Sequence, residues 1–246
     1  MRNILDIPYG DHPMQVVDLH LPDSDRFPVF VYFHGGGLEN GSRRSTAVMD
    51  DYLTAHGIAV AEVEYRLYPE ARYPAFVEDA AAAVAWVKTH IGEYGACTAL
   101  YVGGSSAGGY LSMMLCFDGR YLGAHGIVPT DITGFVHDAG QPTTHFNVLR
   151  ERGIDSRRVI VDEAAPLYHI GTAETYAPML FIVSDNDMAG RYEQTQLTLA
   201  SLRHFGCDMT RVHYREMHGT HCAYVGKTDE NGDSILGQIL VGFMQK

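Results

Sequence analysis

The short run at residues 104–108, Gly-Ser-Ser-Ala-Gly, constrains the fold of this chain more than any other stretch. Apolar, β-prone residues 99–102 precede it and apolar residues 110–115 follow it, which predicts a strand, a sharp turn and a helix. Glycines at both ends of a G-x-S-x-G pattern let the strand and helix backbones pass close together, and the central serine then lies on a strained turn. Ser106 is therefore a candidate nucleophile, provided that the chain also supplies a base, an acid and oxyanion donors.

Apolar, β-prone segments alternate with helix-like segments over most of the chain. The 246 residues are 46% hydrophobic and 20% charged, which suits one α/β domain over residues 1–246 with a large core. Continuously apolar strands and intervening helices predict a mostly parallel sheet with helices on both faces. The predicted strands are residues 14–21, 28–33, 58–63, 99–102, 132–136, 178–183 and 210–214, and the predicted helices are residues 46–56, 73–91, 107–117, 192–205 and 234–244.

Three segments carry more specific predictions. The partial alternation of residues 14–21 predicts an antiparallel strand at the sheet edge. The helix at 46–56 should bury one face. In residues 137–171 the periodicity breaks down, and an irregular insertion of this length predicts a wall of the substrate pocket, with short helical pieces rather than a large cap. The residues predicted for the buried face of the helix at 46–56 are Ala47, Val48, Tyr52 and Leu53.

The helix after residue 73 begins with two carboxylates, Glu78 and Asp79. Carboxylates in a first helical turn are favoured by the helix dipole, so these two side chains are interpreted as structural charges rather than catalytic ones.

The charge and cysteine content exclude several classes of protein. The net charge of −12 disfavours nucleic acid and anionic membrane surfaces as partners, because both repel an acidic protein. Cys97, Cys116, Cys207 and Cys222 lack C-x-x-C spacing, which argues against a zinc site or a disulfide framework. Free thiols and the lack of a leader-like apolar stretch predict a cytoplasmic protein. The sequence leaves open whether the chain is a monomer or a homo-oligomer.

Three consecutive glycines follow the apolar strand at residues 28–33. Glycines at the end of a buried strand leave backbone N–H groups free to converge on one point, which is how a backbone oxyanion hole is built. In this interpretation Gly36 and Gly37 donate, and the N–H of Ala107 completes the set.

The chain also supplies an acid and a base after the serine. Asp185 and Asp187 follow the same apolar strand, and His218 and His221 share one loop after the next strand. Asp187 lies further into its loop, and the Gly-Thr step before His221 lets that loop turn inward, so these two are preferred while the other pair stays open. The order Ser, Asp, His is that of the α/β-hydrolase arrangement.

Four motifs in this order resemble those of the α/β-hydrolase esterases. The likeness extends over residues 14–244 and is closer to compact carboxylesterases, carbohydrate esterases and feruloyl esterases than to hormone-sensitive-lipase-like members with a long N-terminal cap. The motifs are His-Gly-Gly-Gly at 34–37, Tyr-Arg-Leu-Tyr-Pro-Glu at 65–70, Tyr-Pro-Ala at 73–75 with Glu-Asp-Ala at 78–80, and Gly-Ser-Ser-Ala-Gly at 104–108.

The resemblance implies a role for each matching residue. Arg66, Glu70 and Asp79 would brace the loops behind the site. The implied site consists of the nucleophile Ser106, its partners Asp187 and His221, and the oxyanion donors Gly36, Gly37 and Ala107.

The expected reaction is hydrolysis of a small carboxylic ester through an acyl-enzyme, without a metal or organic cofactor. Two alternatives remain. One is amide hydrolysis of the arylformamidase type, on N-formylkynurenine. The other is a non-catalytic binding protein, since folds of this kind also serve as binding modules.

Overall fold

The computed structural model describes residues 2–245, which form one eight-stranded sheet with helices on both faces. The strand order is β1-β2-β4-β3-β5-β6-β7-β8. Strands β3 to β8 are parallel to one another, whereas β2 is antiparallel to both of its neighbours. The strands are β1 (Arg2–Pro8), β2 (Val16–Leu21), β3 (Arg26–Phe33), β4 (Ala59–Val63), β5 (Ala96–Ser105), β6 (Gly134–Asp138), β7 (Met179–Ser184) and β8 (Val212–Met217).

Within residues 2–245, seven α-helices connect and cover these strands. Helices α1 and α7 pack together on one face of the sheet, and α2 and α3 pack together on the other. The helices are α1 (Ala47–Ala55), α2 (Ala75–His90), α3 (Ala107–Phe117), α4 (Gly119–Gly123), α5 (Phe146–Glu151), α6 (Arg191–His204) and α7 (Ile235–Met244). The predicted fold class, a mostly parallel α/β sheet with helices on both faces, is confirmed. Among residues 2–245, none of the helices combines the length and the apolar character that a bilayer crossing requires.

Two local predictions are wrong. β2 is not the sheet edge, because β1 pairs with its outer side. The sequence pattern did not predict β1, because the side chains of this strand are mostly exposed and show no clear alternation. The buried face of α1 is also only partly right. Leu53 is buried, but Val48 is 36% exposed, and Met49 and Asp50 are buried instead.

Asp50 explains the error in α1, because an aspartate does not mark a buried position in a hydrophobicity pattern. Its carboxyl lies against that of Glu62 on β4, and the hydroxyl of Thr46 donates to Glu62 at 2.7 Å. Burial raises the pKa of Glu62 and raises that of Asp50 to about 7. The two acids therefore favour a shared proton, which lets them lie in the core.

The two carboxylates at the start of α2 have different environments. Glu78 is exposed in the first turn, as expected of a helix-dipole charge. Asp79 is 1% exposed and accepts hydrogen bonds from Arg66 Nε at 2.8 Å, Arg66 Nη2 at 2.6 Å and Gln15 Nε2 at 2.7 Å. It ties the segment after β4 to α2. The bracing role that the resemblance implied for Arg66 and Asp79 agrees with these contacts, whereas Glu70 is exposed.

Replacing Asp79 should therefore cost far more stability than replacing its neighbour. Asp79→Ala leaves a partly buried guanidinium without its carboxylate, and we expect a loss of about 2 to 4 kcal/mol in the free energy of unfolding. Glu78→Ala should change it by no more than about 0.5 kcal/mol. Urea unfolding of both variants measures the difference, and equal losses would contradict the assigned role of Asp79.

Candidate active site

Ser106 lies on the turn between β5 and α3, and its backbone has a positive φ of 57° with ψ of −110°. The flanking glycines permit this turn. A Cβ on Gly108 would lie 1.8 Å from the carbonyl oxygen of Phe33, and one on Gly104 would lie 2.4 Å from the same atom. The backbone N–H of Ser106 donates to the carbonyl of Asp138 at 2.7 Å, which holds the turn against β6. The strand–turn–helix geometry predicted for residues 104–108 is thus present.

A chain of hydrogen bonds connects Ser106, His221 and Asp187. His221 Nε2 lies 2.8 Å from Ser106 Oγ, and His221 Nδ1 lies 2.5 Å from Asp187 Oδ1. Burial opposes ionisation of Asp187, but the hydrogen bond and charge of His221 outweigh it and hold the pKa of Asp187 below its ordinary value. An ionised Asp187 keeps Nδ1 protonated and leaves Nε2 able to accept the serine proton.

The second Asp–His pair, Asp185 and His218, comes from the same two loops, but its histidine points into solvent. His218 Nδ1 lies 2.6 Å from Asp185 Oδ2, and the His218 side chain is 97% exposed. Asp185 also accepts the N–H of Gly219 at 2.9 Å. This pair therefore shapes the loop before His221, whereas His221 alone of the two histidines contacts the serine.

The triple-glycine loop lies beside Ser106. Gly36 and Gly37 have φ values of 116° and 67°, and the hydrogen bonds within residues 2–245 leave both of their N–H groups without an acceptor. Asn147 Nδ2 donates to the carbonyl of Gly37 at 3.0 Å and fixes the loop from α5. Ala107 is the first residue of α3, where a backbone N–H has no partner within the helix. Gly36 and Gly37 line the same cleft as Ser106, and Ala107 follows the serine in the chain.

The buried side chain of His34 supports the glycine loop through hydrogen bonds and ring stacking. Its ring lies 2.7 Å from the carbonyl of Gly35 and 2.9 Å from Glu64 Oε1, and it stacks on Tyr65 with 4.4 Å between ring centroids. The guanidinium of Arg43 lies 3.2 Å from the other oxygen of Glu64. His34 is therefore a structural member of the glycine motif, since its polar atoms are used within the protein.

Asp138 is the residue that sequence reasoning missed. Its buried carboxylate accepts hydrogen bonds from the hydroxyls of Ser105 and Tyr224, and Ser105 in turn accepts one from Tyr32 at 2.8 Å. These partners lie on β5, on the loop after His221 and on β3, so Asp138 connects the elements that carry Ser106, His221 and the glycine loop. The signal available was an aspartate at the end of an apolar strand, the same signal that selected Asp187.

An open cleft of about 620 Å³ surrounds these groups. Its lining includes Tyr32, Phe146, Met188 and Cys222 beside the site residues. Of the segment 137–171, only Phe146 is among the residues that line the described cleft. The first two residues of this segment belong to β6 and not to an insertion. The part of the chain that the structure describes has no group of three or more His, Cys, Asp or Glu side chains arranged to hold a metal ion.

The fold is that of an α/β-hydrolase. The chain belongs to the BD-FAE family, whose model matches residues 17–202. The matched part includes the glycine loop, Ser106 and Asp187, and it ends before His221.

Curated relatives share part of this chain. Esterase LipI of Mycobacterium tuberculosis is 39% identical over 115 residues, which are 44% of this chain and 34% of LipI. Carboxylesterase NlhH of the same organism is 37% identical over 109 residues, which are 42% of this chain and 33% of NlhH. The alignments thus span about a third of the length of these relatives.

Solved structures resemble the whole chain. A truncated carbohydrate esterase from gut microbiota superposes with a TM-score of 0.76 at 16% identity, covering 100% of this chain and 97% of the other. Esterase B of Lactobacillus rhamnosis superposes with a TM-score of 0.78 at 19% identity, covering 98% and 84%. At this level of identity the superpositions establish the fold.

The burial of Asp138 predicts a pH effect on stability. Burial raises the pKa of Asp138 from 3.8 to about 6, although two hydroxyls donate to its carboxylate. The folded state therefore binds more protons than the unfolded state in this window, and stability falls as the pH rises from about 4 to 6. Asp138→Asn removes this titration. The unfolding free energy of the wild type relative to the variant should fall by about 2 to 3 kcal/mol between pH 4 and 7.

Calorimetric or denaturant unfolding of both proteins at several pH values measures this difference. Other acids, such as Asp50 and Glu62, titrate in both proteins and cancel in the comparison. A difference that stays constant across the range would contradict a raised pKa at Asp138.

Proposed function

We propose that the protein is a serine hydrolase that cleaves small carboxylic esters. The observation that carries this proposal is the hydrogen-bonded chain from Asp187 through His221 to Ser106 Oγ, beside glycine N–H groups without an acceptor. The esterase relatives support the choice of an ester as the substrate class. A non-catalytic role would suit a site in which both histidines lie out of reach of Ser106, whereas His221 lies 2.8 Å from it.

In the proposed reaction, His221 Nε2 takes the proton of Ser106 as its oxygen attacks the ester carbonyl carbon. The carbonyl oxygen becomes an oxyanion and accepts hydrogen bonds from the N–H groups of Gly36, Gly37 and Ala107. Asp187 stabilises the imidazolium that forms. His221 then gives the proton to the leaving alkoxide, which leaves an acyl group on Ser106.

Water completes the cycle by the same steps. It enters after the alcohol leaves, loses a proton to His221 Nε2 and attacks the acyl carbon. Collapse of the second oxyanion breaks the bond to Ser106 Oγ, which recovers its proton from His221. The products are a carboxylic acid and an alcohol, and the chain's own side chains supply every proton transfer.

The cleft favours small acyl groups. It is open to solvent, and the segment 137–171 contributes Phe146 as one wall instead of a large cap. A long alkyl chain would thus stay partly in water and would gain little from burial, since the gain is proportional to the apolar area removed from water.

The two Asp–His pairs offer a matched test of the catalytic assignment. Ser106→Ala, His221→Ala and Asp187→Asn should each lower kcat/KM on 4-nitrophenyl acetate by about 10⁴-fold or more, because the three groups act as a unit. His218→Ala and Asp185→Asn should keep activity within about fivefold, since their pair does not contact Ser106. Circular dichroism checks folding. Hydrolysis that survives in Ser106→Ala would overturn the proposed function.

A substrate panel tests the size and type of acyl group. The kcat/KM for 4-nitrophenyl esters should be highest for acetate to butyrate and should fall beyond octanoate, because the cleft does not enclose a long chain. Acetylated sugars, feruloyl esters and N-formylkynurenine complete the panel. Rates that keep rising beyond octanoate would contradict the preference for small acyl groups, and N-formylkynurenine turnover far above that of aryl acetates would establish amide hydrolysis instead.

A further inference from the structure

A second cavity, of about 380 Å³, adjoins the cleft around Ser106. Phe146 and Met188 line both spaces, which therefore adjoin at these two residues. The far end of an ester bound beside Ser106 would enter the second cavity there.

The charged side chains that line this cavity are all arginines, namely Arg157, Arg158 and Arg191. The guanidinium of Arg157 is held by Asp155, with Nε–Oδ1 at 2.9 Å and Nη2–Oδ2 at 2.6 Å. Arg158 has no ion pair within residues 2–245. Asp155 therefore pairs directly with Arg157, while its charge acts on Arg158 without an ion-pair contact.

Arg191 is stronger evidence for an anion site than the two exposed arginines, because its side chain is buried, with 5% of the residue exposed. Its guanidinium donates to the carbonyl of Ala139 and, at 3.4 Å, to Oε1 of Gln141, and both acceptors are neutral. The carboxylate whose charge acts on Arg191 is Asp187, which already contacts His221. Burial lowers the pKa of Arg191, the usual consequence of holding a cation away from water.

Neutral groups around the cavity also suit an anion. Gln194 lines it, and Gly190 lies there as the N-cap residue before the 14-residue helix α6, without a side-chain cap. The start of a helix presents backbone N–H groups and a partial positive charge. The protein as a whole carries a net charge of −12, so a cavity whose charged lining is cationic differs from most of its surface.

We propose that this cavity binds a carboxylate of the ester substrate, so that the enzyme prefers esters that carry a negative charge several bonds from the cleaved carbonyl. The proposal rests on the proposed ester hydrolysis and specifies its substrate class. Arg158 and Arg191 supply the charge, and the planar guanidinium fits the two oxygens of a carboxylate.

The test compares matched pairs of charged and neutral esters. For a carboxylate on the acyl side, the pair is the 4-nitrophenyl monoester of adipic acid and its methyl ester. For a carboxylate on the alcohol side, the pair is 4-acetoxybenzoate and its methyl ester. The measured quantity is the ratio of kcat/KM for the charged ester to that for the neutral ester, at low and high salt.

Two variants alter the cavity, and each has a matched control. Arg158→Glu reverses the charge on the cavity wall, and Arg203→Glu makes the same change at the exposed end of α6. Gln194→Glu adds a negative charge inside the cavity, and Gln196→Glu adds one on the same helix outside it. We expect the ratio to exceed one for at least one pair and to fall about tenfold in the cavity variants, less so at high salt, but by no more than about twofold in the controls.

The proposal is overturned if neither pair gives a wild-type ratio above one, or if the cavity variants and their controls change the ratio equally. Its failure is distinguishable from failure of the proposed function. Hydrolysis of the neutral esters that depends on Ser106 supports ester hydrolysis whatever the ratio, whereas neutral-ester hydrolysis that survives in Ser106→Ala overturns the function itself.

Discussion

The close approach of three backbones around Ser106 is the constraint on which the site depends. β5 must turn into α3 beside the end of β3, and the space between them excludes even a Cβ at Gly104 or Gly108. The turn leaves Ser106 at a positive φ, a conformation that costs free energy for a residue with a side chain. Packing of β3, β5 and α3 must offset that cost, and the serine is then presented at the end of the sheet rather than buried within it.

Buried hydrogen-bond networks hold the remaining parts of the site in fixed positions relative to this turn. Asp138 connects the strand before Ser106 to the loop after His221, while His34 and Glu64 support the glycine loop. Both networks contain ionisable groups in the core, which is costly unless each polar atom has a partner. Because these networks contact the segments that carry Ser106, His221 and the glycine loop, they fix the positions of these groups as well as contributing to stability.

The geometry also separates two similar pairs of residues. Asp185 with His218 and Asp187 with His221 come from the same two loops, yet only the second pair reaches the serine. Spacing along the chain favoured this choice through the longer reach of Asp187 and the glycine before His221. The structure adds the reason, since Asp187 is buried against the end of β7 while His218 points into solvent.

The sequence by itself determined the fold class, the boundaries of most strands and helices, and the site residues that lie at strand ends. Apolar runs and glycine spacing are local, and the rule that parallel strands end at one edge brings Ser106, Asp187 and His221 to the same place. Tertiary structure alone decided what depends on contacts between distant segments. β1 forms because β2 offers an unpaired edge, Asp50 is buried because Glu62 shares its environment, and Asp138 matters because Ser105 and Tyr224 converge on it. The pattern within one segment cannot predict such partners, because a polar side chain is predicted to lie on the surface unless its buried partner is known.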